Sequence, residues 1–275
     1  MKNFAILFLF IFIQSGCLKP AVAPDPIPVY QSFSIASKIV NETRNINVWI
    51  PDKYSIRKDS FLVVYMLDGG IKEDFPHIAN TLAALINTNK IPPVILVGIE
   101  NTQRRRDLTG PTDVSEDKKI APVVGGSAAF RQFINDELFP AVQSRYRCNG
   151  KKAIIGESLA GLFIIETFLE NPKMFDYYIA MDPSLWWNDH YLVRHANQLL
   201  AGFPSAQKRL WYAGSKAKDI NVYTDELAGI IKSINLPNLH WKYSDEPREK
   251  HNTIFRATKE KAFIWTLNPT SQNEH

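Results

Sequence analysis

Three short, uninterrupted apolar runs constrain the fold of this chain more than any other feature of its sequence. They cover residues 61–67, 94–99 and 153–155. Runs of this kind are typical of strands that are buried on both faces. Amphipathic helical patterns lie between and after them, near residues 73–88, 127–146 and 159–170. This alternation predicts a mainly parallel sheet with helices on both faces.

The flanking segments extend the same pattern. Residues 30–50 contain two candidate strands, and polar and apolar side chains alternate in the second, which predicts an antiparallel pair at one edge of the sheet. Further strands are expected near 177–181, 209–213 and 239–243, and further helices near 189–200, 221–234 and 253–266. We therefore predict an α/β fold, organised as a single domain over residues 30–270.

The N-terminal segment predicts export. Lys2 precedes an apolar run over residues 4–13, which at ~1.5 Å per residue reaches only about half of the ~30 Å hydrocarbon core of a bilayer. Residues 1–16 are therefore interpreted as a signal peptide and not as a membrane-spanning helix. The small residues before Cys17 resemble a lipoprotein cleavage site, which would make Cys17 the lipidated first residue. Ordinary secretion is the alternative, because Gln14 stands where an aliphatic residue is usual.

A proline-containing segment, residues 17–29, follows the predicted cleavage site. Prolines favour an extended chain, so this segment is interpreted as a tether between the lipid anchor and the folded domain. The expected location is the periplasm or cell envelope, with contact to a membrane only through the lipid.

Composition argues against several classes of function. The formal net charge is +4 and the basic residues are scattered, which does not suggest a nucleic-acid partner. The two cysteines and the histidines show no ligand spacing, so no metal site is predicted. No phosphate-cradling or dinucleotide-binding turn is found, and we expect no cofactor.

The sequence around Ser158 carries the strongest catalytic signal. A predicted strand runs into Gly156-Glu157-Ser158-Leu159-Ala160-Gly161 and then directly into a predicted helix. This is the context of a nucleophile elbow, in which a serine at a sharp turn needs small neighbours because the strand and helix backbones pass close together. Alanine occupies the fifth position of the Gly-x-Ser-x-Gly pattern, and glycine follows it. Ser158 is therefore the predicted nucleophile.

A serine nucleophile needs a base, which in this architecture follows the last strand. Of the six histidines, only His251 occupies a loop between the last predicted strand and the last predicted helix. The others precede the serine, lie within predicted helices or strands, or end the chain: His77, His190, His195, His240 and His275. His251 is the predicted base.

The acid that would orient the imidazole is expected in the loop after the strand at 209–213. Asp219 is the first carboxylate beyond that strand and is the predicted acid. Asp225 and Glu226, within the following helical pattern, and Glu249, two residues from His251, remain alternatives.

The chain resembles the putative-esterase family of α/β-hydrolases, which includes esterase D, feruloyl esterases and enterochelin (trilactone siderophore) esterases. The resemblance runs from about residue 31 to 267 and is carried by four stretches and a final histidine loop. They are 65–70 (YMLDGG), 98–109 (GIENTQRRRDLT), 156–163 (GESLAGLF), 182–187 (DPSLWW) and 247–251 (PREKH). Two positions depart from the family pattern, which usually has glycine at Ala160 and often serine at Asp182.

The resemblance implies further roles for individual residues. The backbone N–H groups of Gly70 and Leu159 would form an oxyanion hole. Trp186 and Trp187 would offer a flat wall to an aromatic or sugar-bearing acyl group; the alternative is that they only cover the following helix. Arg104 and Arg106, together with Asp107, would form a charged rim for an anionic substrate; the alternative is a loop pinned by internal ion pairs.

Together these observations predict a serine carboxylic-ester hydrolase that acts outside the cytoplasm through an acyl-enzyme. Siderophore, aryl and sugar esters are the small-molecule substrates considered. Transfer of the acyl group to another alcohol, and a binding lipoprotein without activity, are the alternative functions.

Overall fold

A computed structural model describes residues 25–56 and 58–268, so the predicted signal peptide, Cys17 and most of the predicted tether lie outside the described residues. One eight-stranded sheet organises the described chain. Its strands are β1 (Gln31–Ser37), β2 (Glu42–Trp49), β3 (Phe61–Met66), β4 (Val94–Ile99), β5 (Cys148–Glu157), β6 (Tyr177–Met181), β7 (Lys208–Ser215) and β8 (Leu239–Glu246).

Ten α-helices occur in the described chain. They are α1 (Lys53–Ile56), α2 (Phe75–Asn87), α3 (Arg104–Asp107), α4 (Ser115–Ile120), α5 (Ser127–Phe133), α6 (Phe139–Gln143), α7 (Leu159–Glu170), α8 (Trp187–Leu200), α9 (Lys218–Ile234) and α10 (Ile254–Leu267). A π-helical turn, Ile134–Leu138, joins α5 to α6, so the helix predicted over 127–146 is continuous but irregular.

The strand order is β1-β2-β4-β3-β5-β6-β7-β8. β2 pairs antiparallel with β1 and β4, and the remaining neighbours pair parallel. The predicted α/β fold with an antiparallel N-terminal edge is thus confirmed. β5 lies between β3 and β6, and loops that leave the carboxyl ends of these three strands meet at one edge of the sheet.

The core consists of two apolar clusters, one on each face of the sheet. Along β3 and the residue after it, Val63, Tyr65 and Leu67 join one cluster, whereas Val64 and Met66 join the other. Side chains alternate between the faces of a strand, which explains why buried strands read as continuous apolar runs. Helices α5 to α9 cover the first face, and α2 and α10 cover the second. Each fully buried large apolar side chain contributes about 1.5–3 kcal/mol.

Within the described ranges, no helix has the length and apolar character needed to cross a membrane.

Candidate active site

Ser158 occupies a strained turn between β5, which ends at Glu157, and α7, which begins at Leu159. Its backbone has φ 62° and ψ −121°, a conformation that costs of order 1–3 kcal/mol for a residue with a side chain. The turn is held by the end of β6 and the loop after it: Ser158 donates its N–H to the Met181 carbonyl at 3.0 Å, and Ser184 donates its N–H to the Ser158 carbonyl at 3.2 Å. The predicted strand, turn and helix around this serine are therefore present.

Steric contacts explain the small residues around the turn. A Cβ at Gly156 would lie 2.6 Å from the Ala160 Cβ. A Cβ at Gly161 would lie 2.9 Å from the Met181 carbonyl oxygen and 3.0 Å from the Pro183 Cα. Gly161 is thus the glycine that the crossing with the β6 loop requires, which accounts for the tolerance of alanine at position 160.

His251, in the loop between β8 and α10, reaches the serine. Its Nε2 lies 3.2 Å from the Ser158 Oγ, and its Nδ1 lies 2.8 Å from Oδ2 of Asp182. A carboxylate only accepts hydrogen bonds, so Nδ1 carries the proton and Nε2 is free to accept the serine proton. The hydrogen bond to Asp182 raises the pKa of the His251 imidazole above its ordinary value, against an opposing effect of burial. The side chain remains 44% exposed, so the imidazole is accessible from solvent.

Asp182 directly follows β6, and its side chain is 0% exposed. Its second oxygen, Oδ1, accepts the Ser215 N–H at 2.5 Å, and its own N–H donates to the Ala213 carbonyl at 2.9 Å. The carboxylate is therefore fixed between the ends of β6 and β7 and aimed at the imidazole. Two charge-assisted hydrogen bonds offset the cost of burying this anion.

The prediction that Asp219 orients the imidazole is wrong for this geometry. Asp219 lies exposed in the first turn of α9, and its influence on the pKa of His251 is a weak electrostatic one. Asp225 and Glu226 are also exposed on α9. Glu249 accepts a hydrogen bond from Thr253 at 2.7 Å. The prediction fails because the carboxylate that contacts His251 follows β6 and not β7. The contribution of β7 is a backbone donor, the Ser215 N–H, which binds that carboxylate.

The missed residue had a sequence signal. Asp182 comes immediately after the predicted strand at 177–181, at the carboxyl end where functional groups gather. It also lies at a position where the family often has serine. A carboxylate that replaces serine at such a strand end was a candidate for the acid.

Three non-glycine residues with positive φ surround this site. Asp68, Ser158 and Asp182 have φ of 55°, 62° and 45°, and they lie within two residues of the ends of β3, β5 and β6. Strained backbone persists where the surrounding structure enforces it, and it clusters at functional sites. The arrangement therefore marks this edge of the sheet independently of the hydrogen bonds.

The two predicted oxyanion donors differ in their surroundings. Leu159 is the first residue of α7, where a backbone N–H has no partner within the helix. The Gly70 N–H, in the loop after β3, instead donates to Oε2 of Glu73 at 2.6 Å. Gly70 also packs closely, because a Cβ there would lie 2.8 Å from the same oxygen and 3.1 Å from the Glu100 Cγ.

The two arginines that were predicted to bind substrate are engaged in ion pairs. Arg104 binds both oxygens of Asp68, at 2.6 and 2.8 Å. Arg106 contacts Glu42 and Asp107, each at 2.6 Å. These guanidinium groups pin the loop after β4, as the alternative interpretation of this run predicted. Arg104 remains next to the elbow, with Nη2 3.4 Å from the Glu157 carbonyl oxygen.

The two tryptophans lie in different environments. Trp187 is buried and donates its Nε1–H to the Gly110 carbonyl at 3.1 Å, whereas Trp186 is half-buried. Trp187 lines a cavity of about 270 Å³ between α7 and α8, and Trp186 does not. The wall of this cavity on α7 starts at Leu162, one helical turn from Ser158. Trp187 therefore borders a pocket near the elbow, and Trp186 packs against the core.

Glu157, the residue before Ser158, has an unusual carboxyl group. Burial raises its pKa to about 7, opposed by His251 and reinforced by the nearby carboxylates of Asp74, Asp182 and Asp68. The charge on Glu157 therefore changes near neutral pH. Across residues 25–56 and 58–268, including these carboxylates, no group of three or more His, Cys, Asp or Glu residues is arranged to hold a metal ion.

Comparison with known proteins identifies the family of this chain. Residues 37–250 match the model of the family described as "Putative esterase". The chain belongs to this family. It is 33% identical over 126 residues to the ferri-bacillibactin esterase BesA of Bacillus subtilis, and 39% identical over 98 residues to a siderophore triacetylfusarinine C esterase of Aspergillus fumigatus.

Among solved structures, an IroE-like serine hydrolase from Shewanella oneidensis superposes with a TM-score of 0.77 at 27% identity, over 86% of this chain and 79% of that one. The sequence matches are more local. The match to BesA covers 42% of this chain and 44% of BesA, and the match to the Aspergillus enzyme covers 34% and 32%. The matched region thus spans less than half the length of these curated relatives.

Proposed function

We propose that this protein is a serine carboxylic-ester hydrolase in which Ser158 is the nucleophile, His251 is the general base and Asp182 positions the imidazole. The observation that carries the proposal is the continuous hydrogen-bonded chain from Ser158 Oγ to His251 at 3.2 Å and from His251 to Asp182 at 2.8 Å. A nucleophile, a base and an orienting carboxylate in this order define the geometry of nucleophilic acyl transfer.

The reaction follows from these positions. The Ser158 Oγ attacks the ester carbonyl carbon while its proton passes to Nε2 of His251, and the carbonyl oxygen becomes an oxyanion. When the tetrahedral intermediate collapses, the alcohol leaves with the proton from Nε2, and an acyl-enzyme remains on Ser158. Water then attacks the acyl carbon with His251 again acting as base, which releases the acid and restores the serine. Asp182 stabilises the imidazolium that forms in each half-reaction.

The oxyanion is assigned to the backbone N–H groups of Leu159 and Gly70. The first lies at the N-terminus of α7, whose dipole favours negative charge. Removing one such donor from a hydrolase typically lowers the rate by about 10²–10³. For Gly70 to serve, the hydrogen bond to Glu73 has to be exchanged for one to the substrate.

A siderophore ester is the proposed substrate class. Its support is the likeness to proteins named as esterases of ferri-bacillibactin and of triacetylfusarinine C, and to an IroE-like serine hydrolase. We further propose that the protein works outside the cytoplasm as a lipid-anchored or secreted enzyme. This part rests on the apolar run and the cysteine within residues 1–17.

The test of the proposal is a panel of ester substrates with the wild-type protein and the Ser158→Ala variant. The protein lacking residues 1–17 is assayed on p-nitrophenyl acetate, a feruloyl ester and iron-free and ferric trilactone siderophores, and is treated with a fluorophosphonate probe. We expect hydrolysis and labelling of the wild type, both lost in the variant. A wild-type protein that is neither labelled nor active on any of these esters would rule the proposal out.

The cellular location is tested separately. The full chain is expressed in bacteria, and the mass of the protein is measured in the membrane fraction and in the soluble fraction. Lipidation predicts a membrane-bound form that Cys17→Ala converts to a soluble one, whereas an intact residue 1–16 segment in a cytoplasmic fraction contradicts export.

A further inference from the structure

The proposed oxyanion donor Gly70 already holds an anion in this structure. Its N–H donates to Oε2 of Glu73 at 2.6 Å, which is the length of a strong, charge-assisted hydrogen bond. Glu73 belongs to the same tight turn, because its own N–H donates to the Gly70 carbonyl at 3.0 Å. A side chain three residues along the chain therefore folds back onto the group that the reaction needs.

A polar network holds Glu73 in this position. Asn101 donates its Nδ2–H groups to Oε1 of Glu73 at 2.7 Å and to Oδ1 of Asp68 at 2.6 Å. Asp68 is also held by Arg104, whose Nε and Nη2 donate to its two carboxylate oxygens at 2.6 and 2.8 Å. Glu73 can thus leave Gly70 without disrupting the Asp68–Arg104 pair, and Asn101 remains as a partner for the displaced carboxylate.

The carboxylate and a reacting ester compete for one hydrogen. A backbone N–H has a single proton, and an oxyanion and a carboxylate that share it would also repel each other at close range. The negative charge that develops on the carbonyl oxygen in the transition state makes this conflict strongest at the step that the hole has to accelerate.

We propose that Glu73 is an intramolecular competitor for the oxyanion hole: it occupies the Gly70 N–H in the free enzyme, and ester binding exchanges its carboxylate for the substrate oxygen. The inference rests on the proposed function, because it takes Gly70 as an oxyanion donor. Glu73 is then a residue that limits catalysis, and weakening its hold on Gly70 accelerates the reaction.

A purely structural role makes a different prediction. A glutamate that bonds the N–H three residues earlier also stabilises a turn, as in a capping box. If that is its only task, Glu73→Gln keeps a neutral acceptor and leaves the rate unchanged, and Glu73→Asp, whose shorter side chain loses reach to Gly70, lowers the rate by loosening the loop.

The experiment measures kcat/KM on p-nitrophenyl acetate and the inhibition constant of phenylboronic acid for the wild type, Glu73→Gln and Glu73→Asp. The boronic acid reports on the hole directly. Ser158 Oγ adds to the trigonal boron, the hydroxyl proton passes to His251, and a tetrahedral boronate anion forms beside the oxyanion donors. Glu100→Gln is the matched control, because the Glu100 side chain also packs against Gly70, 3.1 Å from where a Cβ would lie, and the Gly70 N–H bonds to Glu73 instead.

We expect Glu73→Gln to raise kcat/KM and tighten boronate binding by about fivefold each, the factor that separates a charge-assisted from a neutral hydrogen bond. Glu73→Asp keeps the charge but frees the N–H, so it is expected to give a gain as well, whereas Glu100→Gln stays within about twofold of the wild type. Melting temperatures within about 2 °C of the wild type establish that the variants are folded.

Three results would overturn the proposal. The competition is refuted if both folded Glu73 variants are no more active than the wild type, or if Glu100→Gln gains as much as they do. In either case, hydrolysis and fluorophosphonate labelling of the wild type leave the proposed function standing. If one Glu73 variant fails to fold, the other decides. A wild type and variants that are all inert and unlabelled refute the proposed function, and this inference with it.

Discussion

Replacing Asp182 with asparagine tests the proposed site most directly, because the change removes a charge and alters no shape. Oδ1 of Asp182 accepts the Ser215 N–H at 2.5 Å, so the asparagine oxygen will face that donor. The amide NH₂ then faces Nδ1 of His251 in place of the present 2.8 Å acceptor. Nδ1 has to become the acceptor, and the ring proton moves to Nε2, which then cannot take the proton of Ser158.

The expected magnitude follows from that tautomer. In a serine protease the equivalent change lowers kcat by about 10⁴, which at about 1.4 kcal/mol per decade corresponds to a barrier higher by about 5–6 kcal/mol. We expect a loss of 10³–10⁴ in kcat on p-nitrophenyl acetate. The hydrogen bond to Asp182 also raises the pKa of His251, and activity requires the neutral imidazole. The acidic limb of the rate profile of Asp182→Asn should therefore shift to lower pH.

The matched control is Asp219→Asn, which removes an exposed carboxylate that acts on His251 only weakly and through space. This variant should retain activity within about twofold of the wild type. A small loss in Asp182→Asn with an unchanged pH profile, or a loss in Asp219→Asn of similar size to that in Asp182→Asn, would refute the assignment and return the role to the loop after β7.

Three further predictions concern the residues around the turn. Ser158→Ala and His251→Ala should each lower kcat by at least about 10⁴ while keeping the melting temperature, measured by ester hydrolysis and calorimetry; appreciable turnover in either folded variant contradicts the mechanism. Gly161→Ala should destabilise the protein by about 1–3 kcal/mol in chemical denaturation, because its Cβ would lie 2.9 Å from the Met181 carbonyl oxygen; an unchanged midpoint would show that the loop yields freely. Burial raises the pKa of Glu157 to about 7, so the stability that its neutral form supplies is present at low pH and lost as pH rises through 7. Glu157→Gln should therefore raise the melting temperature at pH 8 by about 2–4 °C per kcal/mol recovered, and much less at pH 5; the opposite order would contradict the raised pKa.

The sequence predicted the fold because its strands are buried on both faces. The apolar runs at 61–67 and 94–99 correspond to β3 and β4, and the parallel order follows from the helices between them. The run at 153–155 marks only the buried part of β5, which begins at Cys148 with exposed residues. Apolar patterning finds the part of a strand that lies in the core and misses the part that extends beyond it.

The candidate site was predictable in part for a different reason. Ser158 and His251 each stand in a local context that identifies them: a strand, turn and helix for one, and a loop after the last strand for the other. The proposed acid has no such context, because β6 and β7 are neighbours and the loop after either strand is a candidate to carry the carboxylate. Their adjacency is seen in the hydrogen bond between the Asp182 N–H and the Ala213 carbonyl.

The occupied Gly70 N–H was also beyond reach of the sequence. The resemblance names the donor but says nothing of its partner, because that depends on the rotamer of Glu73 and on Asn101, which comes from the loop after β4. Backbone strain was likewise hidden. The left-handed turn over Asn188, Asp189 and His190, which includes the first residues of the helix predicted near 189–200, leaves no trace in composition.

The position of the Asp182 carboxylate, directly after β6, affects which loops of this enzyme can vary in sequence. Ser215 donates its N–H to the Asp182 carboxylate, and Lys216 donates its N–H to the Glu249 carbonyl in the histidine loop at 3.2 Å. The residues beyond them, 217–219, make no hydrogen bond to His251 or Asp182. Insertions or deletions within residues 217–219 would leave the hydrogen bonds among Ser158, His251 and Asp182 in place. The loop after β7 can thus change to accept other esters, while Ser158 and Asp182 keep their positions at the ends of β5 and β6.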